Sequence, residues 1–194
     1  MRKLRKIEEK MTKNDIIQIL INEFRKFGYE GLSLRQISQA TGLGKASLYH
    51  YFPGGKKEMA LEVMKAANNW IEKDLLGVVQ QHTPPEERLA ALFALLNEFY
   101  QSGNNACLLD VMTIDNCAHE DFYMESKNIL SNLTHIFYKL AHDFGQSEEE
   151  SKVTAQTALS ILQGSLIQSR ILENTQIFKQ QFKLIENILK SKYK

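Results

Sequence analysis

A short run of polar side chains near residue 50 has the types and spacing needed to bind nucleic acid. Within residues 32–59, helical periodicity turns Leu48, Tyr51 and Phe52 inward. The same periodicity projects four other side chains away from the core: Lys45, Ser47, Tyr49 and His50. They supply hydrogen-bond donors for phosphates and base edges and a ring for thymine methyl groups, as a major groove requires. This stretch therefore predicts a surface that binds double-stranded DNA.

Two predicted helices and the turn between them must position these side chains. The first helix spans residues 34–41, and Ser33 with Gln36 can close a capping box at its start. Residues 41–44, with the sequence TGLG, form the turn of a helix-turn-helix. Arg35 lies at the exposed start of the first helix. It is either a phosphate or base contact or an ordinary solvated arginine, and the sequence favours neither.

A further helix before this motif is expected to support it. Thr12 is a suitable N-cap with Asp15 three positions later, and Gly28 is expected to stop the helix after Phe27. Its apolar residues recur at helical spacing, which predicts a core stripe rather than a DNA-reading surface. Residues 1–11 are rich in basic side chains. They form either an arm along DNA or an ordinary disordered terminus.

Composition restricts the fold class. Of 194 residues, 43% are hydrophobic and 24% are charged, the balance of a globular protein. Only three prolines occur, so nearly all of the chain is free to be helical. Two cysteines are too few for a disulfide framework and no signal segment opens the chain, which indicates a cytoplasmic location. We expect an all-α fold of about nine helices.

The charge is divided unequally along the chain. Residues 1–65 carry 13 Lys and Arg against 7 Asp and Glu, a net charge of +6, and the remainder carries 11 against 16, a net charge of −5. A basic head on an acidic body indicates that only the head meets a polyanion. Chance clustering on solvated faces is the alternative interpretation.

The run GYEGLSLRQISQATGLGKASLYHYFPGGKK, residues 28–57, resembles the DNA-binding region of the TetR/AcrR family of transcriptional regulators. The similarity extends over about residues 12–64, and the combination of motifs is specific. Gly28 and Tyr29 match the glycine and aromatic residue that follow the family's first helix, and Lys45 matches its recognition helix. The resemblance implies a DNA-binding head and a helical body that binds a ligand and a second subunit.

The resemblance also implies domain limits and site residues. The expected domains are residues 1–56, which bind DNA, and residues 57–194, which regulate and dimerise. The sequence departs from the family pattern at Gly44, where Ser or Thr is usual, and at residues 53–55, one residue longer than the usual link. The residues predicted to contact DNA are Ser33, Arg35, Gly44, Lys45, Ala46, Ser47, Tyr49, His50, Lys56 and Lys57.

A long helix from Lys57 to about Val79 is expected to join head and body, and in the family this helix transmits a change of angle. Large side chains on this and the following helices either fill an ordinary core or line an apolar pocket, as the family's regulatory domains generally have. We therefore predict a small apolar or aromatic inducer. The predicted pocket residues are Trp70, Phe93, Tyr100, Met112, Phe122, Tyr123, Phe137 and Leu162.

An uncharged run from Val153 to Ser169 marks the predicted dimer interface. It is about one membrane thickness at best and holds many Thr, Gln and Ser residues, so it does not indicate a membrane span. A helix without a charged face is usually buried all round, either by a second subunit or inside the monomer. The predicted interface residues are Ala155, Ala158, Leu159, Leu162, Ser165, Leu166, Phe178, Phe182 and Ile185.

An enzyme would have to use a cluster of ligand-type side chains near residue 115, which comprises Asp110, Asp115, Cys117, His119, Glu120 and Asp121. This run lacks CxxC and HExxH spacing, and the chain has no GxSxG, P-loop or dinucleotide glycine pattern. We therefore expect no cofactor and no catalysis. Cys107 is either a buried small hydrophobe or a thiol sensor.

These patterns together predict a ligand-responsive repressor that binds a palindromic operator as a homodimer. An activator of the same architecture and, in a different class, a helical metal- or thiol-dependent enzyme are the alternatives. The expected partners are double-stranded DNA, a second copy of the chain and an unidentified small molecule, without a membrane.

Overall fold

The computed structural model describes residues 11–113 and 120–191, and the regular elements of these residues are all helical. The all-α prediction is confirmed. Residues 55–79 form one continuous rod, and counting it once gives nine helices in the described part, besides a 3-10 turn at Gln101–Gly103. The elements are α1 (Lys13–Gly31), α2 (Leu34–Thr41), α3 (Lys45–Tyr51), α4 (Gly55–Trp70), a π-helical turn (Ile71–Leu75), α5 (Leu76–Val79), α6 (Pro85–Phe99), α7 (Leu108–Thr113), α8 (Glu120–Asp143), α9 (Glu148–Ile171) and α10 (Thr175–Lys190).

Helix α1 begins where the sequence predicts. The backbone N–H of Thr12 donates to the carboxylate of Asp15 at 2.8 Å, and the N–H of Asp15 donates to the Thr12 hydroxyl at 3.2 Å. The predicted stop at Gly28 is a kink instead, because this residue has φ 68° and one more helical turn follows, up to Gly31. Only glycine adopts this region of φ readily. A Cβ at Gly28 would also lie 3.3 Å from the carbonyl oxygen of Val111.

The rod from α4 through α5 differs from the prediction at its start and in its middle. It begins at Gly55, two residues before the expected Lys57, and it ends at Val79 as expected. Between α4 and α5 the helix widens into the π-helical turn at Ile71–Leu75. Single π turns inside helices are rare and often mark functional positions.

The body is built around α8, α9 and α10, since α9 packs along both of the other two helices. Helix α9 begins with a capping box between Ser147 and Glu150. The predicted apolar stripe of α9 faces this bundle. Of the two interpretations of its burial, by a second subunit or inside the monomer, the structure agrees with the second. Eight of the nine predicted dimer residues are buried within a single chain: Ala155, Ala158, Leu159, Leu162, Ser165, Leu166, Phe178 and Ile185.

These eight residues of the predicted dimer face are therefore covered within their own chain. Phe182 is partly exposed, but its ring stacks on Phe93 of the same chain at 4.5 Å. A side chain buried within its own chain is not available to a second subunit, and this stripe is buried because α8 and α10 pack along α9. The opposite face of α9 is exposed and uncharged, with Val153, Thr157, Ile167 and Ile171 outside.

The predicted ligand-pocket residues do not gather around one cavity. Five of them pack in the core, and Phe93 and Trp70 are half-buried in aromatic stacks. Their helical spacing reflects core packing, the alternative interpretation. Tyr123, with 65% of its surface exposed, lines a cavity between α7 and α8.

Five of the eight predicted pocket residues are buried. The buried five are Tyr100, Met112, Phe122, Phe137 and Leu162. Trp70 and Phe93 are half-buried, and Tyr123 is exposed. Phe99, which stacks on Trp70 at 3.9 Å, was not among the predicted residues.

The head is attached to the rod and the body mainly through α1. Lys13 at its start pairs with Glu62 of α4 at 3.3 Å and with Glu58 at 3.8 Å. Near its other end, the guanidinium of Arg25 stacks on the ring of Phe99 in α6. Among the described helices, none combines the length and apolar character that crossing a bilayer requires.

Candidate nucleic-acid interface

The turn between α2 and α3 is held by three local features. Gly42 ends α2 in the left-handed conformation, with φ 69°. The hydroxyl of Thr41 donates to the carbonyl of Ile37 at 2.8 Å and accepts from the N–H of Leu43 at 3.3 Å. The Ser38 hydroxyl donates to the Leu43 carbonyl at 2.5 Å. These contacts set the direction in which α3 leaves the turn.

Helix α3 has one buried anchor and a polar exposed surface. Leu48 is 1% exposed and belongs to the core that α1 and α4 share. Phe52 is also buried, just beyond the end of the helix. The residues predicted to read DNA are all exposed on this element: Gly44, Lys45, Ala46, Ser47, Tyr49 and His50. The structure thus places them on one short helix with donors and a ring facing solvent.

The start of α3 is capped by backbone alone. Gly44 is the N-cap, with φ −69° and ψ 159°, and no side-chain hydrogen bond closes this end. Its carbonyl accepts from the N–H of Leu48 at 3.0 Å. This φ is open to any residue, and a Cβ built at Gly44 would have no heavy atom within 4 Å. The glycine is therefore not required by the local geometry.

The link after α3 differs in this respect, because Gly55 is needed where it stands. Gly55 is buried, has φ +66°, and a Cβ there would lie 3.4 Å from the ring of Tyr49. Its N–H donates to the Phe52 carbonyl at 2.9 Å. The N–H of Gly54 donates to the Glu58 carboxylate at 2.7 Å. The extra residue of the link therefore forms a tight turn that brings α4 against Tyr49.

Two of the predicted contacts outside α3, Lys56 and Ser33, have partners within the chain. The ammonium of Lys56 donates to the carbonyl of Tyr29 at 2.9 Å and lies 4.5 Å from the centre of its ring. Ser33 is exposed, but it forms the capping box with Gln36 that its sequence predicts. Arg35 and Lys57 are exposed at the surface. The direct role of Lys56 in the structure is thus to join α4 to the end of α1.

Two features of this surface were missed in the sequence. The hydroxyl of Tyr51 donates to the carbonyl of Met11 at 2.7 Å, 40 residues earlier in the chain. Met11 and Tyr51 also line a groove of about 400 Å³ with Ala46, Ser47 and His50. Local periodicity cannot show a contact between residues this far apart. The basic residues 2–10 precede this point, and the predicted arm that they form lies outside the described residues.

The predicted catalytic cluster is only partly described. The carboxylate of Asp110 pairs with the Arg170 guanidinium at 2.7 Å, and residues 114–119, which include Cys117 and His119, lie outside the described residues. Within residues 11–113 and 120–191, no three His, Cys, Asp or Glu side chains are grouped as a metal site requires. Cys107 is buried, 3.7 Å from the hydroxyl of Tyr100.

The chain is similar to known proteins in sequence over its first part and in fold over nearly its whole length. Residues 16–63 match the family model described as bacterial regulatory proteins, tetR family. The chain is 30% identical over 86 residues to the HTH-type transcriptional regulator LmrA of Bacillus subtilis. The matched segment covers 44% of this chain and 46% of that protein. It is 31% identical over 91 residues to the regulator BetI of Brucella canis, covering 46% of each. The matched segment thus spans less than half of these relatives.

The fold is similar over nearly the whole chain. A TetR transcriptional regulator from Legionella pneumophila has a TM-score of 0.82 at 19% identity, covering 93% of this chain and 98% of that one. The reduced form of NemR from E. coli has a TM-score of 0.72 at 17% identity, covering 91% and 96%. At these identities the likeness establishes the fold. The family match and the geometry of α2 and α3 show a TetR-type DNA-binding head, and the whole chain has the fold of solved TetR-family regulators.

Proposed function

We propose that this chain is a repressor that binds a palindromic operator as a homodimer and leaves it when a small molecule binds. The observation that carries the proposal is the exposed polar face of α3 around the buried anchor Leu48. Lys45 and His50 supply donors for phosphates, and Ser47 and Tyr49 supply groups for base edges and thymine methyls. An activator would use the same surface. We retain a division near residue 56 and a location in the cytoplasm.

A second subunit supplies the second recognition helix, because one helix of seven residues reads too few base pairs for useful specificity. We assign the interface to the exposed, uncharged face of α9 instead of its buried stripe. Residues on this face recur at helical spacing over residues 153–171, about 27 Å of helix. They are Val153, Thr157, Ser160, Gly164, Ile167 and Ile171. Small residues at the centre allow two copies of α9 to approach closely.

The predicted apolar or aromatic inducer has one candidate site. A groove of about 410 Å³ lies between α7 and α8, lined by Leu109, Tyr123, Leu130, Ser126 and Lys127. It is lined mainly by apolar surface with a few polar groups, as ligand sites usually are. An inducer releases the operator only to the extent that it prefers the state that does not bind DNA.

DNA binding is tested by an electrophoretic mobility shift with the DNA upstream of the chain's own gene, at several salt concentrations. We expect Lys45→Ala to weaken binding several-fold and to lower the salt slope by about one, because one phosphate contact is lost. The matched control is Lys179→Ala, which removes an exposed lysine of α10. Equal effects of the two variants, or binding that is insensitive to salt, would contradict the proposal.

Dimerisation is tested by sedimentation equilibrium of the full chain. We expect a homodimer that dissociates in Ile167→Glu, because the substitution would bury an unpaired charge within the face. Asn128→Glu adds the same charge to an exposed position of α8 and should leave the dimer intact. A wild-type monomer, or a dimer unchanged by Ile167→Glu, would overturn the assigned face.

A further inference from the structure

A cationic cavity lies at the junction between the head and the body, and none of the residues assigned to DNA lines it. Its volume is about 500 Å³, which is in the range of small-molecule sites. Arg25 and Lys26 of α1 line it with Arg170 of α9. Amide side chains complete the lining at Asn22, Gln101 and Asn104. Three positive charges and several amides form a lining suited to a hydrophilic anion.

Donor groups of this cavity lack acceptors. The Nε and Nη2 atoms of Arg25 are buried without a hydrogen-bond acceptor among the described residues, as is Nε of Arg170. The Nη2 atom of Arg170 is engaged by Asp110 at 2.7 Å. Leaving buried donors unpaired is costly, and most proteins avoid it. Burial also lowers the pKa of Arg25 from its ordinary value. An anion bound beside these guanidiniums would offset the cost of burying their charge.

The loop that closes the cavity has a strained backbone held in place by its own side chains. Gln101 and Ser102 have φ 46° and 57°, values that L residues adopt rarely. The amide of Asn104 donates to the Gln101 carbonyl at 3.0 Å, and that of Asn105 donates to the Phe99 carbonyl at 3.3 Å. Strain of this kind persists where the surrounding structure enforces it. The cavity is therefore formed before a ligand arrives.

A stack of three side chains connects the cavity to the rod. The guanidinium of Arg25 lies 4.1 Å from the centre of the Phe99 ring. Phe99 stacks on Trp70 at 3.9 Å with an interplanar angle of 9°. Trp70 is the last residue of α4, directly before the π-helical turn at Ile71–Leu75. Contacts thus run from the head through α6 to the rod.

We propose that this cavity binds a small hydrophilic organic anion that bears a carboxylate or phosphate, and that the bound anion is an effector. The forked donors of two arginines fit either oxyanion, and the amides around them suit further polar groups of the ligand. Because Arg25 belongs to the head and Arg170 to the body, an anion shared by both favours one arrangement of the two. This regulatory role rests on the proposed function, whereas anion binding does not.

The test follows the emission of Trp70, the only tryptophan of the chain, while the full-length protein is titrated with phosphate or citrate without DNA. Ionic strength is held constant with chloride. We expect a saturable change with at least one probe. Arg25→Gln and Arg170→Gln should each raise the Kd about tenfold or more, because each removes charge-assisted hydrogen bonds. Lys179→Gln is the matched control, since it removes an exposed charge outside the cavity.

The outcomes separate the possibilities. Tighter binding of phosphate or of citrate supports the proposal and identifies the preferred oxyanion. No saturable change with either probe would overturn it, as would an unchanged Kd in both arginine variants whose circular dichroism matches the wild type. Because DNA is absent, failure here leaves the proposed operator binding untouched. A probe that binds but leaves the mobility shift unchanged would overturn the effector role alone.

Discussion

Helices α3 and α9 show opposite relations between sequence and exposed surface. Helix α3 has seven residues with Leu48 as its buried anchor, and its exposed face is the one that the sequence predicts. Helix α9 has 24 residues with neighbours on two sides, and the face predicted for a partner is buried in its own chain. A motif of fixed local spacing reveals the surface of a short helix. The surface of a long central helix depends on neighbours that lie far away in the sequence.

The largest predicted effect concerns packing between residues far apart in the sequence, at the turn that contacts α10 next to α9. Gly103 has φ +94°, and a Cβ there would lie 2.7 Å from the Cβ of Phe178 in α10. We expect Gly103→Ala to lower the free energy of unfolding by about 3 kcal/mol or more, since both the backbone and the contact are strained. Urea unfolding followed by circular dichroism measures this change.

The matched control is Gly77→Ala in α5, where a Cβ would meet no heavy atom within 4 Å. Alanine has the higher helix propensity, so we expect a gain of up to about 1 kcal/mol. A small loss for Gly103→Ala, similar in size to the effect of Gly77→Ala, would show that the packing between the turn and α10 is loose.

The sequence predicts the elements better than their faces. Capping boxes at Thr12 and Ser33 begin their helices where expected, because a cap depends on residues three positions apart. The π-helical turn, the contact of Tyr51 with Met11 and the cationic cavity involve packing or residues far apart in the chain. Periodicity identifies an apolar face but not the element that packs on it. Most of the residues predicted for the dimer face and the pocket pack in the core of their own chain.

A prediction of intermediate size concerns the unfolding free energy lost when an ion pair is removed from the body or from the head. Asp143 of α8 accepts from Arg88 of α6 at 2.6 Å, and Arg88 is only 7% exposed. We expect Asp143→Asn to cost about 2 kcal/mol of unfolding free energy, because a buried guanidinium loses its charged partner. Glu62→Gln in the pair with the more exposed Lys13 should cost less than about 1 kcal/mol.

The pH dependence of unfolding tests the contribution of Asp143 to stability. Burial alone would raise the pKa of Asp143, but hydrogen bonds from Arg88 and Lys139 outweigh it, so its pKa lies below the ordinary 3.8. A lowered pKa adds stability above pH 3.8 that is lost as the pH falls through the folded-state value. The difference between the wild type and Asp143→Asn should therefore shrink below about pH 3.8 in urea unfolding at several pH values. A difference that stayed constant down to pH 2 would contradict this assignment.

The smallest effect concerns the cap of the recognition helix. Gly44 has an ordinary φ of −69° and open space around its Cβ position, so the structure accepts a side chain there. Gly44→Ser restores the residue type that the family usually has, and its hydroxyl can accept from a free N–H of the first turn of α3. We expect a gain of a few tenths of a kcal/mol in unfolding free energy. Operator affinity should stay within about twofold, since α3 is already held by Leu48. A large gain in affinity would mean instead that the free helix is frayed and that its ordering limits DNA binding, which would make α3 depend on its local cap more than on its neighbours.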